Sequence, residues 1–152
     1  MEFAQIIEEL GQKAGISDLK LDERGSCSLL FDDAHEVEFQ LDREKGQVLI
    51  WCAVGRIGDL TEPIARLLLA DSVFGAKTDG AAFGLFEPLD AIVLWQRLRW
   101  DIIDLDAFMD VLDKFLAQCG YWKEKIHAGE AGLETPSPED VPNLSTAGML
   151  FV

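Results

Sequence analysis

The chain has little of what most enzyme sites, nucleic-acid binders and secreted scaffolds require. Its three cysteines, Cys27, Cys52 and Cys119, are odd in number, scattered, and each set in an apolar pattern. That excludes a disulfide framework and reads as buried, reduced thiols in a cytoplasmic protein. Positive charge is scarce: 13 Lys and Arg stand against 28 Asp and Glu, for a net charge of −15 and a pI near 4.3. Phosphate backbones need clustered cations, so nucleic acid is excluded as a partner, and an anionic membrane surface is disfavoured. No apolar run approaches the length of a membrane span. The opening Met1-Glu2-Phe3 lacks the basic start and apolar stretch of a signal peptide.

Candidates for chemistry are equally few. His35 falls in a strand-entry turn and His127 at the end of the last helix, both surface positions in this reading. Cys119 lies eight residues before His127, which is no nucleophile–base arrangement by itself. Gly75-Ala76-Lys77-Thr78 resembles a phosphate loop only faintly, since it follows a helix and lacks the spaced glycine. Asp101, Asp104, Asp106 and Asp110 lack the spacing of a Ca²⁺ loop and read as a solvated helix start matched to the helix dipole. No catalytic residue, metal ligand or cofactor site is assigned. The four tryptophans, Trp51, Trp95, Trp100 and Trp122, take strand or helix positions and read as core or interface.

What is present is a periodic pattern. Phe3, Ile6, Ile7, Leu10 and Ala14 mark one face of a helix that ends at Gly15. Ser26–Phe31 reads as a first strand after the Asp22–Gly25 turn. Val37, Phe39 and Leu41 then alternate with Glu36, Glu38, Gln40 and Asp42, so the second strand has one wet face. Val48–Val54 is apolar on both faces and reads as a central strand, completing an antiparallel meander.

The stretch from Thr61 to Trp100 organises the rest. Thr61-Glu62-Pro63 starts a helix, and Ile64 to Ala70 is apolar almost all round, with Val73 and Phe74 beyond and a stop at Gly75. A helix covering one sheet in a monomer keeps a broad polar stripe. The simplest second surface for this one is a copy of itself. Two strands follow, Ala81–Phe86 and Ala91–Leu98, around an Glu87–Asp90 turn. Ile64, Leu67, Leu68, Val73, Phe74, Phe83 and Leu85 are the candidate dimer interface. A last helix, capped by Asp101 or Asp104, carries Leu105, Phe108, Leu112, Phe115, Cys119 and Trp122 on one stripe. Residues 1–126 thus form an α+β domain of order α-β-β-β-α-β-β-α with an antiparallel sheet. Residues 127–152 form a polar, acidic tail that ends in the apolar run Met149-Leu150-Phe151-Val152.

In that order, several segments are similar to the class I type III secretion chaperones of the Tir-chaperone (CesT-type) family. They are Gly15-Ile16 through Leu21-Asp22, Cys27–Phe31, Leu67–Ser72, Gly80–Leu85, Ile92–Trp95, and Asp106-Ala107-Phe108 through Phe115 to Trp122. The likeness covers Met1 to Ile126. One departure is that many members carry Asn after the Leu-Leu pair, where this chain has Asp71-Ser72. The resemblance implies a cytosolic homodimer without enzymatic activity. Such a protein binds the N-terminal chaperone-binding segment of a secreted effector in extended form, keeps it soluble and export-competent, and presents it to the secretion ATPase. The wall between the first helix and the meander, with Ile6, Leu10, Leu29, Phe31, Phe39 and Leu41, is the candidate effector-binding surface, although a small domain needs the same residues for its core. Two other readings stay open. One is a regulatory chaperone of the same fold that sequesters a small anti-activator, coupling secretion to transcription. The other is a small-molecule enzyme, which needs convergent polar groups that the sequence does not offer at a recognisable spacing.

Overall fold

A computed structural model describes residues 2–129. Within them lie α1 (Phe3–Ala14), β1 (Ser26–Phe31), β2 (His35–Asp42), β3 (Gln47–Arg56), α2 (Glu62–Asp71), β4 (Ala82–Phe86), β5 (Ala91–Arg99) and α3 (Leu105–Ala128). The expected order of helices and strands is the one observed. The strands form one five-stranded antiparallel sheet of order β1-β2-β3-β5-β4, so β3 is the middle strand and β1 and β4 are the edges. The polar tail expected beyond the last helix lies outside the described residues, as does its apolar end.

The chain divides into two compact units. The first comprises Met1–Cys52 and Gln96–Asp113. Its α1 ends at Gly15, whose left-handed backbone (φ 73°) lets its N–H close on Gln12. At the other end, the Gln5 side chain accepts the N–H of Glu2 at 3.1 Å. Phe3, Ile6, Ile7 and Leu10 are buried at the spacing that places them on one helix face. Asp22 Oδ1 accepts the N–H groups of Arg24 and Ser26, both at 2.8 Å, which fixes the entry to β1. Cys27 then pairs with Phe39 and Leu29 with Val37 across the β1–β2 hairpin. Because facing residues share a side, Cys27, Leu29, Val37, Phe39 and Leu41 are buried while Ser28 and Gln40 are not. Phe108 of α3 closes this core. Its ring stands edge-on to Phe3 at 5.6 Å and lies 6.2 Å from Phe39.

β3 alternates more than its sequence predicted. Val48, Ile50, Cys52 and Val54 are buried, whereas Leu49 and Trp51 are half-buried and Ala53 is exposed. It is central in the sheet without being dry on both faces.

The second unit comprises Ala53–Trp95 and the chain from Lys114 onward. Thr61 caps α2 by accepting the N–H of Ile64 at 3.4 Å, and Pro63 sits in the first turn. The helix stops at Asp71, four residues short of Gly75. Asp71 and Ser72 are poor helix formers, and the chain tightens into a 3₁₀ turn over Val73–Gly75 with Phe74 at φ 57°. That turn is held by the N–H of Gly80 on the Gly75 carbonyl at 3.0 Å and by the buried Thr78 hydroxyl on the Ala81 carbonyl at 2.5 Å. β4 and β5 pair around a 3₁₀ turn at Glu87–Leu89, with Phe83 opposite Leu94 and Leu85 opposite Ile92. Phe115, Cys119, Trp122 and Ile126 of α3 are buried, and the Trp122 ring meets Phe83 edge-on at 4.9 Å. The Trp122 indole donates to Gln118 Oε1 at 3.0 Å, and Gln118 Nε2 donates to Asp79 at 2.9 Å, tying α3 to the loop after α2. Of the two candidate caps, Asp104 is the one used: its Oδ1 accepts the N–H of Ala107 at 2.8 Å, and the helix then runs two residues past Ile126.

Candidate partner-binding and dimerisation surfaces

The six residues proposed for effector contact all lie in the first unit, and most of them are inside it. Ile6, Leu10, Leu29, Phe39 and Leu41 are buried, with Ile6 and Phe39 at 0% exposure. Phe31 alone is half-buried, at the last position of edge strand β1. Five of the six are therefore packed inside the unit, and Phe31 alone offers surface. An exposed apolar residue of β1 outside that set is Leu30. It is 57% exposed, on the side of β1 opposite to Leu29 and level with Ser26 and Ser28. The signal was in the strand itself, because Leu29-Leu30-Phe31 breaks the alternation that Ser26-Cys27-Ser28 begins. As an edge strand, β1 also presents one row of backbone groups that no strand of the sheet pairs.

The proposed dimer residues all lie in the second unit, and they divide. Ile64 and Leu68 are buried in the unit's own core, and Leu67 and Phe83 are half-buried. Val73, Phe74 and Leu85 are exposed, at 40%, 47% and 52%. Around them the structure exposes Leu69 at 73%, with Phe86 and Leu89 also open to solvent. Leu69 was missed because an all-round apolar helix gives no phase from which to tell its inner from its outer face. Single exposed apolar residues are ordinary, whereas six large ones from α2, its following turn, β4 and the β4–β5 turn in a single unit are the candidates for an interaction surface.

Candidate chemistry stays dispersed. Cys119 is fully buried and His127 is exposed. Burial, then the Glu38 and Asp22 carboxylates, push the Cys27 thiol up, away from the thiolate form a nucleophile needs. Among the described residues no group of three or more His, Cys, Asp or Glu is placed to hold a metal ion, and no helix is long and apolar enough to cross a membrane. The exposed apolar side chains are of the kind that protein-binding proteins present.

The comparisons give this class a family. The model of the Tir chaperone protein (CesT) family matches residues 5–123, and the chain belongs to that family of type III secretion chaperones. Over 122 residues it is 28% identical to the transcriptional anti-antiactivator ExsC of Pseudomonas aeruginosa, a match covering 80% of this chain and 83% of that protein. The crystal structure of the ExsC–ExsE complex superposes with a TM-score of 0.74 at 26% identity, covering 82% of this chain and 92% of the other. The HopA1–SchA chaperone–effector complex matches with a TM-score of 0.69 at 16% identity, covering 80% and 93%, and shares the fold. Family and neighbours are chaperones, not enzymes.

Proposed function

We propose that the protein is a homodimeric type III secretion chaperone. It captures the N-terminal chaperone-binding segment of a secreted effector in extended form, keeps it soluble and export-competent, and delivers it to the secretion ATPase. The observation that carries the reading is the open edge of β1, flanked by exposed Leu30 and half-buried Phe31 on opposite faces. An extended segment added there gains main-chain hydrogen bonds along the edge and one apolar anchor on each face. Ile6, Leu10, Leu29, Phe39 and Leu41 hold that edge in place from the core side. The test is affinity capture from secreting cells with mass spectrometry of what is retained, for the unmodified chain and for Leu30→Glu. Recovery of one exported protein by the first and its loss from the second, at unchanged melting temperature, is expected. Undiminished capture by Leu30→Glu moves the contact elsewhere.

A second reading is favoured by one observation, the match to an anti-antiactivator over four-fifths of this chain. In it the same fold sequesters a small anti-activator and so couples secretion to transcription. Deleting the gene separates the two. Loss of one effector's export at constant transcript levels supports the effector chaperone, whereas a fall in transcripts of the whole secretion system supports the regulator.

A further inference from the structure

On the reading that an extended partner segment adds to β1, the edge itself specifies which side chains that segment carries. Its backbone sets the register. The Leu41 N–H donates to the Gly25 carbonyl at 2.8 Å, and Cys27 is level with Phe39 and Leu29 with Val37. The odd-numbered residues of β1 therefore turn their backbone groups to β2, and Ser26, Ser28 and Leu30 turn theirs to the edge. Ser26 is closed by its own chain. Its carbonyl accepts the Asp22 N–H at 2.8 Å, and its N–H donates to Asp22 Oδ1 at 2.8 Å. Past the other end the chain turns away through Asp32 and Asp33, at φ 52° and 53°. Among the described residues, no other backbone group reaches Ser28 or Leu30 from outside the sheet. A segment lying along the edge bonds to those two residues, and its side chains level with them share their face of the sheet.

The charge on that face then selects them. On β2, Glu38 is level with Ser28 and Glu36 with Leu30, and Glu36 Oε1 accepts the Ser28 hydroxyl at 3.1 Å. From Ser26 to Asp42 the chain has five carboxylates and no Lys or Arg. Among the described residues, no Lys or Arg pairs with Glu36 or Glu38. An added strand lies two strand spacings, about 9.6 Å, from β2. Only the small, exposed Ser28 stands between its level position and the two carboxylates. Lys and Arg have the long stems that cross such a gap and carry a cation to the far side. At the next level the way is filled by Leu30, 57% exposed, which an apolar neighbour covers. We infer that the segment captured at this edge carries a Lys or Arg level with Ser28, two residues from an apolar side chain level with Leu30. An Asp or Glu in place of that cation is repelled, so the same geometry rejects acidic segments.

Amide NMR titration of the isotope-labelled full chain tests this with two short strand-forming peptides. They are identical except that one has Arg, and the other Gln, two residues from a central Val. The Arg peptide is expected to shift the Ser28 and Leu30 amides and to bind about fivefold tighter than the Gln peptide at low ionic strength, the upper end for solvent-exposed ion pairs. In about 1 M salt, where charges are screened beyond about 3 Å, the two should bind alike. Glu36→Gln/Glu38→Gln should remove the preference at low salt, while Gln keeps an acceptor for the Ser28 hydroxyl. Glu8→Gln/Glu9→Gln takes the same charge off α1 and should leave the preference in place. Equal affinities at low salt, with both peptides shifting the Ser28 and Leu30 amides, overturn the proposal and leave strand addition standing. A preference lost equally in Glu8→Gln/Glu9→Gln reduces the effect to net charge and overturns it too. If neither peptide shifts those amides, strand addition at β1 falls and this proposal with it. Shifts that grow with protein concentration in the absence of peptide give the edge to a second copy, with the same result.

Discussion

At the scale of single residues, Phe39 shows how closely a binding wall and a core can coincide. Its ring is fully buried and lies 6.2 Å from Phe108. Phe39→Ala is expected to cost about 3–5 kcal/mol, the range for emptying a large aromatic site in a packed core. Urea melts measure this, and a loss below about 1 kcal/mol would show that Phe39 belongs to an open groove after all. Asp101 gives a pH signature. Arg99 donates to it through Nε at 2.9 Å and through Nη2, and these hydrogen bonds hold its carboxyl below the usual carboxylate range. A depressed folded value means that the pair stabilises the protein above the unfolded value of about 3.9, and that the gain is lost as pH falls through the folded value. Asp101→Asn should therefore lower the melting temperature slightly at neutral pH and leave it unchanged in strong acid. The effect is small because both partners are exposed to solvent.

At the scale of elements, the structure follows the sequence wherever one rule acts alone. Gly15, Thr61 and the alternation of β2 fix an ending, a cap and a face, and all three stand as expected. The misreadings arise where rules compete. Apolar residues run on past Asp71 and made the second helix look longer, but the local preference of Asp-Ser for turns and the Gly75–Gly80 contact end it. Asp101 and Asp104 are equally good caps by residue type, and only the backbone decides, with Asp101 turned instead to Arg99. Gly75 is the most exacting position in this region. Its φ is 68°, and a Cβ would approach the Gly80 Cα to 2.9 Å. Gly75→Ala is expected to destabilise by more than about 1 kcal/mol, combining left-handed strain with a backbone clash. A calorimetric scan with an unchanged transition would contradict this packing of the loop.

At the scale of the whole molecule, the question is what covers the apolar surface of the second unit. Composition announced the surface and could not resolve its members. Ile64 and Leu68 serve the unit's own core, while Leu69, Val73, Phe74 and Leu85 stand in solvent. A second copy is the proposed cover, because a self-complementary patch is the simplest means of burying one surface without a dedicated partner. Fully burying a side chain of this size contributes on the order of 1.5–3 kcal/mol, and these four, 40–73% exposed, have a corresponding part of that still to gain. The probe follows from the division. Leu68→Asp puts a charge into the unit's core and confounds unfolding with dissociation. Leu69→Asp alters a side chain that is already 73% exposed, so the fold is expected to persist while the dimer does not. Light scattering at micromolar concentration should give twice the 16.9 kDa chain mass for the unmodified protein and the single mass for Leu69→Asp, with matching circular dichroism. A folded, monomeric unmodified protein would leave the patch to the secreted partner. A Leu69→Asp protein that still dimerises would move the interface off the outer face of α2.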